Sequence, residues 1–350
     1  MAGVNHSQGI YTIDNNQGCL SVIPGSSFEY SEYTPNPDIS RKANVLFYVD
    51  KKGVYTHRDS SMHLALAMAD DPYFNVAISS IRDASLSEHA DVVIPRFDPP
   101  VDYDFLNELE AYDDGSRLFV NSPRAQRYFG DKRYLEAIAR EHPEILPKTI
   151  VEDNPTALGD FIYNLKKNNG RYVVFKPIRG FGGEGIKKID ISEQTLSDIY
   201  CLAYGLSNSG KDEVILQEYI DNVAEYGDKR IHIANRAPVG AVLRKPKDRE
   251  WLCNQKKGAK LVRDGLTDID YEIIEKIMPL LESKGVYWAG IDIIGPYLGE
   301  INAVSPGLLF AVDALNGQLY GDRSAVRYLA DEIKDDVKAL THKRELALAR

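Results

Sequence analysis

Cysteine is scarce in this chain of 350 residues. Cys19, Cys201 and Cys253 lie far apart and form no Cys-x-x-Cys pair, which excludes a disulfide framework or a cysteine zinc site and fits a reducing cytosol. Positive charge is also short. Lys and Arg total 42 against 52 Asp and Glu, a net charge of -10, so the general basic surface that nucleic acids or anionic membranes require is missing. Long apolar runs are absent: stretches such as Val286–Ile294 fall far short of the roughly 20 residues that span a bilayer. Met1 is followed by small and polar residues, which argues against a secretory signal. No internal repeat or low-complexity tract is visible, and the seven histidines show no metal-ligand spacing such as His-Glu-x-x-His. These absences fit a cytoplasmic protein whose partners are neither nucleic acid nor membrane.

Hydrophobic residues at 43% supply a sizeable core, and at roughly 150 residues per domain the length predicts about two domains. Residues 1–41 are rich in Gly, Ser, Asn and Pro without a sustained period and read as a loosely structured extension. Residues 42–122 alternate buried-type strands (44–49, 75–80, 92–95) with a helix at 60–69, the pattern of a small parallel α/β domain. A helix is expected over 124–141. Residues 145–220 carry strands at 149–151, 172–177, 185–189 and 214–219 with two helices. From 228 onward come further strands, a helix at 268–284, a strand pair at 286–294 and 299–304, and a C-terminal helix at 324–341. The fold class is therefore α/β with α+β elements.

Four segments carry chemistry. In 172–186 a strand ends at Lys176 and runs into a turn containing Gly180, Gly182, Gly183 and Gly185, followed by a second strand. Glycines let backbone N–H groups converge on phosphate oxygens, although the same residues suit a plain flexible hairpin. The turn is neither a Walker loop nor a dinucleotide fingerprint, because a strand follows it. In 288–302, a turn over 295–299 would set Asp292 opposite Asn302 and Ile294 opposite Glu300. Asp292, Glu300 and Asn302 would then share a face, with Ile291, Ile293 and Ile301 on the other. Three hard oxygen donors suit Mg²⁺ beside phosphates; a solvated polar face is the alternative. Arg230, in Gly227-Asp-Lys-Arg, stands at a strand start where it could grip a carboxylate or phosphate, or merely belong to a charged turn. Residues 244–260 gather positive charge, as a solvated loop or as a lid over anionic substrates.

The order of these segments resembles the ATP-grasp superfamily and, within it, the bacterial-type glutathione synthetases. The resemblance runs from about Asn44 to Pro306. It is carried by Arg-Asp-Ser-Ser (58–61), Arg-Phe-Asp-Pro-Pro-Val-Asp (96–102), Asn-Ser-Pro (121–123), Lys132 in Asp-Lys-Arg, and Lys-Pro-Ile-Arg-Gly-Phe-Gly-Gly (176–183). Gln-Glu-Tyr-Ile (217–220), Gly-Asp-Lys-Arg (227–230), Gly-Ile-Asp-Ile-Ile-Gly (290–295) and Glu-Ile-Asn-Ala-Val-Ser-Pro (300–306) complete it. It implies an ATP-grasp fold: the N-terminal α/β substrate domain, a central subdomain over 123–220, and a C-terminal subdomain over 221–350 with the metal-binding hairpin. Lys132 and Lys176 would meet the ATP phosphates, and the turn of Gly180, Gly182 and Gly183 would close over them. Gln217, Glu218, Tyr219 and Ile220 would read adenine. Asp292, Glu300 and Asn302 would hold Mg²⁺, with Mn²⁺ as the substitute ion. Arg230 would contact the reacting carboxylate or its phosphate. Asp59, Ser60, Arg96 and Asp98 would line the substrate pockets, and Asn254 and Ser305 align with further substrate positions. Members are often homo-oligomers, though no interface signature is visible.

The implied activity is ATP-dependent ligation of a small-molecule carboxylic acid to an amine through an acyl phosphate, as in joining γ-glutamylcysteine to glycine. The alternatives are a ligase for another acid and amine, a small-molecule kinase on the same scaffold, and a nucleotide sensor. Two departures fall where the peptide substrate would be recognised. The segment matching the family's Arg-Gly-Asn-Leu lid is Glu250-Trp-Leu-Cys-Asn-Gln-Lys-Lys-Gly258, where Asn254 and Gly258 correspond but the glycine-rich character is lost and two lysines enter; Ser305-Pro306 is followed by Gly-Leu-Leu-Phe in place of Thr.

Overall fold

The computed structural model describes residues 10–14, 19–23, 42–50, 59–98, 100–180, 182–221, 223–247, 250–253, 258–316 and 324–348. The first layer is a six-stranded sheet. Its elements are β1 (Ile10–Asp14), β2 (Cys19–Ile23), β3 (Ala43–Val49), α1 (Ser60–Ala69), β4 (Phe74–Ser79), β5 (Val92–Arg96), α2 (Tyr103–Glu110) and β6 (Leu118–Phe119). The order is β2-β1-β4-β3-β5-β6, with β4, β3, β5 and β6 parallel. β3 is apolar on both faces because helices and loops cover both sides of such a sheet. The β1–β2 pair corrects the reading of the extension as loosely structured. An isolated two-stranded hairpin is marginal, but here β1 adds antiparallel to the edge of β4, a long-range pairing that no local pattern reveals.

The helix expected over 124–141 is two helices, α3 (Pro123–Phe129) and α4 (Tyr134–Glu141). Ser122 caps α3 by accepting from Ala125 N–H, and Pro123 fits the first turn, where an N–H would be orphaned. α3 ends at Gly130. The break has a use, since Lys132 N–H donates to the Ile178 carbonyl at 3.0 Å and the lysine is buried at the junction.

Two antiparallel sheets follow. The four-stranded one comprises β7 (Thr149–Glu152), β8 (Tyr172–Pro177), β9 (Lys187–Asp190) and β10 (Val214–Glu218), in the order β7-β10-β8-β9. Helices α5 (Pro155–Lys167) and α6 (Leu196–Leu206) cover it through Leu158, Ile162, Leu165 and Ile199, which meet Val173, Val214 and Leu216. After α7 (Val223–Tyr226), the five-stranded sheet is built from β11 (Asp228–Ala234), β12 (Ala237–Lys245), β13 (Lys260–Asp264), β14 (Trp288–Ile294) and β15 (Tyr297–Asn302), in the order β13-β12-β11-β14-β15. Helix α8 (Asp268–Lys284) starts with a Thr267–Asp270 capping box and packs Ile273, Ile274, Ile277 and Leu281 onto Ile231, Ile233, Ile291, Ile293 and Ile301. Strand alternation then sends residues 228, 230, 232, 290, 292, 300 and 302 to the other face. Helices α9 (Leu309–Asn316) and α10 (Ala325–Leu348) share a core with α1, β3 and β4.

Asn121 pins the first sheet to the third. Its side-chain nitrogen donates to the Trp288 and Ala303 carbonyls, and its oxygen accepts from Tyr287 and Trp288 N–H, all at 2.6 Å. All four hydrogen-bonding positions of the amide are used, inside the core. Replacing Asn121 by Ala leaves buried backbone groups unpaired, and should lower the free energy of urea unfolding by about 3 kcal/mol or more with the m-value unchanged.

Candidate active site

The four- and five-stranded sheets face each other across a cleft of about 790 Å³. Val174 and Lys176 reach it from β8, Gln217 and Glu218 from β10, and Asp228, Asp292, Ile294, Leu298 and Glu300 from the five-stranded sheet. Tyr219, Ile220, Trp251 and Cys253 complete an apolar end. Gly183, at φ +80°, lines the cleft in a left-handed conformation that favours glycine. Gly180 lends its carbonyl to Lys132 Nζ, and Gly182 lies in the same turn. Gln217 is buried and donates to Thr149 Oγ1 at 2.9 Å. A second cleft of about 470 Å³ is lined by Asp98, Asp131, Lys132, Glu300, Asn302 and Ser305 among others. Glu300 stands in the lining of both.

The register of β14 and β15 corrects the expected five-residue turn. Ile294 pairs with Tyr297 around a two-residue loop, and a bulge at Gly299 brings Asp292 opposite Glu300 and Gly290 opposite Asn302. The two-residue shift, being even, keeps all three oxygen donors on one face. Asn302 Nδ2 is 3.3 Å from Asp292 Oδ2.

Arg230 and Asp292 pair across β11 and β14. The guanidinium grips the carboxylate with two bonds, Nε to Oδ1 and Nη2 to Oδ2, the latter 2.8 Å. Arg244 on β12 lies 2.8 Å from Asp292 Oδ2 and 2.5 Å from Asp228 Oδ2. Burial disfavours the Asp292 charge, but Arg230 and Arg244 outweigh it and hold the carboxyl below the usual range. Asp228, also buried and close to Asp292, is pushed up despite Arg244. Lys132 Nζ lies 3.1 Å from Glu300 Oε1. Lys176 Nζ is 3.4 Å from the Gly299 carbonyl, and burial lowers its pKa to about 8 although Glu300 opposes the shift.

The remaining expected residues divide. Asp98 and Ser305 line the second cleft. Asp59 caps α1, accepting from Ser61 and Met62 N–H; Ser60 Oγ accepts from Leu309 N–H at 3.1 Å. Arg96 is buried against Trp288 and donates to the Pro306 carbonyl. Asn254 lies outside the described residues. Sequence reasoning missed Asp228, Arg244, Trp251 and Cys253. Alternation from Arg230 puts Asp228 on the same face, a usable signal; Arg244 joins only through the β11–β12 register. Among the described residues no group of three or more His, Cys, Asp and Glu gathers as for a metal, so a metal site here depends on the Asn302 amide as its third donor. No described helix is long and apolar enough to cross a membrane.

Residues 136–317 match the ATP-grasp domain of prokaryotic glutathione synthetase. The chain is 33% identical over 257 residues to the glutathione synthetase of Synechococcus elongatus, covering 73% of this chain and 75% of that protein. It belongs to the prokaryotic glutathione synthetase family. The glutathione synthetase of Gloeobacter violaceus is 33% identical over 281 residues, 77% of this chain and 81% of that one. Among solved structures, D-cycloserine synthetase DcsG superposes with a TM-score of 0.61 at 17% identity, covering 83% of this chain and 99% of that one. D-alanine--D-alanine ligase from Bacillus anthracis gives 0.51 at 12%, covering 86% and 99%. These two share the fold. The chain is thus an ATP-dependent carboxylate–amine ligase of the glutathione synthetase type, with the ATP-grasp architecture expected from its motifs.

Lys176 gives this family member a pH signature. Its charge is present below about 8 and is lost as the pH rises through that value. Affinity for ATP, measured by calorimetry, should fall above pH 8, approaching tenfold per pH unit, and Lys176→Met should flatten that dependence.

Proposed function

We propose that the chain joins a γ-glutamyl peptide acid to a small amine, γ-glutamylcysteine to glycine in the first instance, with ATP bound in the larger cleft and the acid in the smaller. The observation that carries the reading is that Glu300 lines both clefts and is paired to Lys132, so charge from one side of the wall is felt on the other.

A carboxylate does not condense with an amine in water because its oxygen is a poor leaving group. In the proposed reaction a carboxylate oxygen attacks the γ-phosphorus, the bond to the bridging oxygen breaks, and ADP leaves. The amine lone pair then attacks the acyl carbon of the acyl phosphate. Phosphate departs with the C–O electrons, the amine loses its proton, and the amide remains. No covalent enzyme nucleophile is needed. Two anions must instead approach, and Lys132, Lys176 and Arg230 neutralise them at positions set before substrate arrives. Trp251 and Tyr219, 6.1 Å apart in T-shaped contact, wall the apolar end of the larger cleft, where an adenine ring would be sheltered. Water must be kept from the acyl phosphate, and Trp251, Leu252 and Cys253 line the larger cleft beside it.

Asp292, Glu300 and Asn302 fit a hard divalent cation. All three are oxygen donors, they share one face, and Asp292 is held in its ionised form. Mg²⁺ there, or Mn²⁺ in its place, would neutralise phosphate charge and orient the γ-phosphoryl group.

ADP release should be acid- and amine-dependent when γ-glutamylcysteine with glycine, and then other acid and amine pairs, are screened with Mg²⁺. Turnover with the acid alone would favour a kinase; turnover only with another pair would reassign the substrates. Glu300→Gln should reduce turnover at least a thousandfold while leaving the melting temperature within about 2 °C. Unchanged activity in this variant would remove the metal argument.

A further inference from the structure

A buried polar chain runs alongside the site and takes no part in the chemistry above. His232 lies two residues beyond Arg230 on β11, on the same face, and is fully buried. The Trp288 indole nitrogen stands 3.0 Å from His232 Nδ1. An indole N–H can only donate, so Nδ1 is the acceptor and carries no proton. The proton of the neutral ring is therefore on Nε2, which donates to the Gly307 carbonyl at 3.0 Å. Burial, with Arg230 and Arg96 nearby, lowers the His232 pKa to about 3, which keeps the ring neutral; the Gly307 bond and Asp292 oppose that shift.

Gly307 belongs to a turn held from three sides. Its carbonyl also faces Arg230 Nη1 at 3.4 Å. The preceding carbonyl, of Pro306, accepts from Arg96 at 2.9 Å, and Arg96 stacks 4.1 Å from the Trp288 ring centre. Leu309 N–H is held by Ser60 at 3.1 Å. Leu308 sits at φ +80°, a conformation leucine rarely adopts and one that persists only where its surroundings over-determine it. At the head of the turn, Ser305 Oγ is buried and has no hydrogen-bond partner among the described residues; Arg96 Nη1 is in the same condition. Ser305 lines the second cleft. A buried polar atom without a partner calls for one, and a ligand in the adjoining cleft would supply it.

We propose that His232 is a positioning residue for the acid substrate: with its tautomer set by Trp288, it fixes the Gly307 carbonyl, and with it the turn of residues 305–308, so that Ser305 meets the acid while Arg230 stays aligned on Asp292. The proposal rests on the ligase reading above. It gives a role to the histidine and the tryptophan that stand on the same two strands as Arg230 and Asp292.

The test is steady-state kinetics with the acid and ATP varied separately. His232→Leu removes the donor, and should raise KM for the acid about tenfold with kcat within about twofold and KM for ATP unchanged. His232→Gln restores an N–H able to reach Gly307, and should return the acid KM to within about threefold of wild type. Trp288→Phe keeps a ring beneath Arg96 but frees the tautomer, and should raise the acid KM severalfold alone and by nothing further in the His232→Leu background. Should His232→Leu fail to fold, Trp288→Phe alone decides: an unchanged acid KM overturns the proposal. It is equally overturned if His232→Leu leaves the acid KM unchanged, or if KM and kcat worsen together without rescue by Gln. A wild-type chain that releases no ADP with any acid overturns the ligase reading itself, and this proposal with it.

Discussion

The bidentate pair of Arg230 and Asp292 is the constraint around which the rest is arranged. Both side chains are buried, and each ion taken out of water costs several kcal/mol before pairing returns it. A sheet face selected for stability alone would be apolar, as the opposite face of the same strands is. The room for the pair comes from glycine: a Cβ on Gly290 would lie 2.8 Å from Arg230 Cδ. Arg244 and Asp228 extend the pair into a four-residue cluster, so that no single charge is left without an opposite.

Around that cluster the site is close to electrically balanced before any substrate binds. Asp228, Asp292 and Glu300 face Lys132, Lys176, Arg230 and Arg244, a surplus of one positive charge from side chains that lie within both clefts or against them. Such a site is poised for exchange. In the reaction proposed above, anionic phosphate would take the cations and a divalent cation the carboxylates, each already in place. The lowered pKa of Lys176 shows the other side of the same balance: burial weakens its hold on the proton, and an anion beside it would restore that hold.

Much of this was readable in the chain. The central strands β3, β4 and β5, the glycine-rich hairpin after Lys176, helix α8, and the shared face of Asp292, Glu300 and Asn302 all follow from patterns of two or of 3.6 residues. Those patterns survive because side-chain alternation is a property of the strand itself. The failures share a different origin. The expected helix over 124–141 has good helical periodicity throughout, but the backbone of Lys132 bonds Ile178, a tertiary contact that outweighs one turn of helix. Local spacing favours a β14–β15 turn over 295–299, whereas the bulge at Gly299 sets the pairing. The β1–β2 hairpin needs the edge of β4, and Arg244 needs the β11–β12 register, before either has meaning.

Strand alternation was thus enough by itself to show which oxygen donors share a face, since that is written in local spacing, and the order of the motifs carried the resemblance to a ligase family and, with it, the ATP-grasp layers. Tertiary structure alone decided which charges pair, how the two clefts share Glu300, and which nitrogen of His232 bears its proton. Those facts depend on distances between segments that the chain separates by tens to hundreds of residues, and on burial, which raises the cost of every unpaired charge until only one arrangement of partners remains.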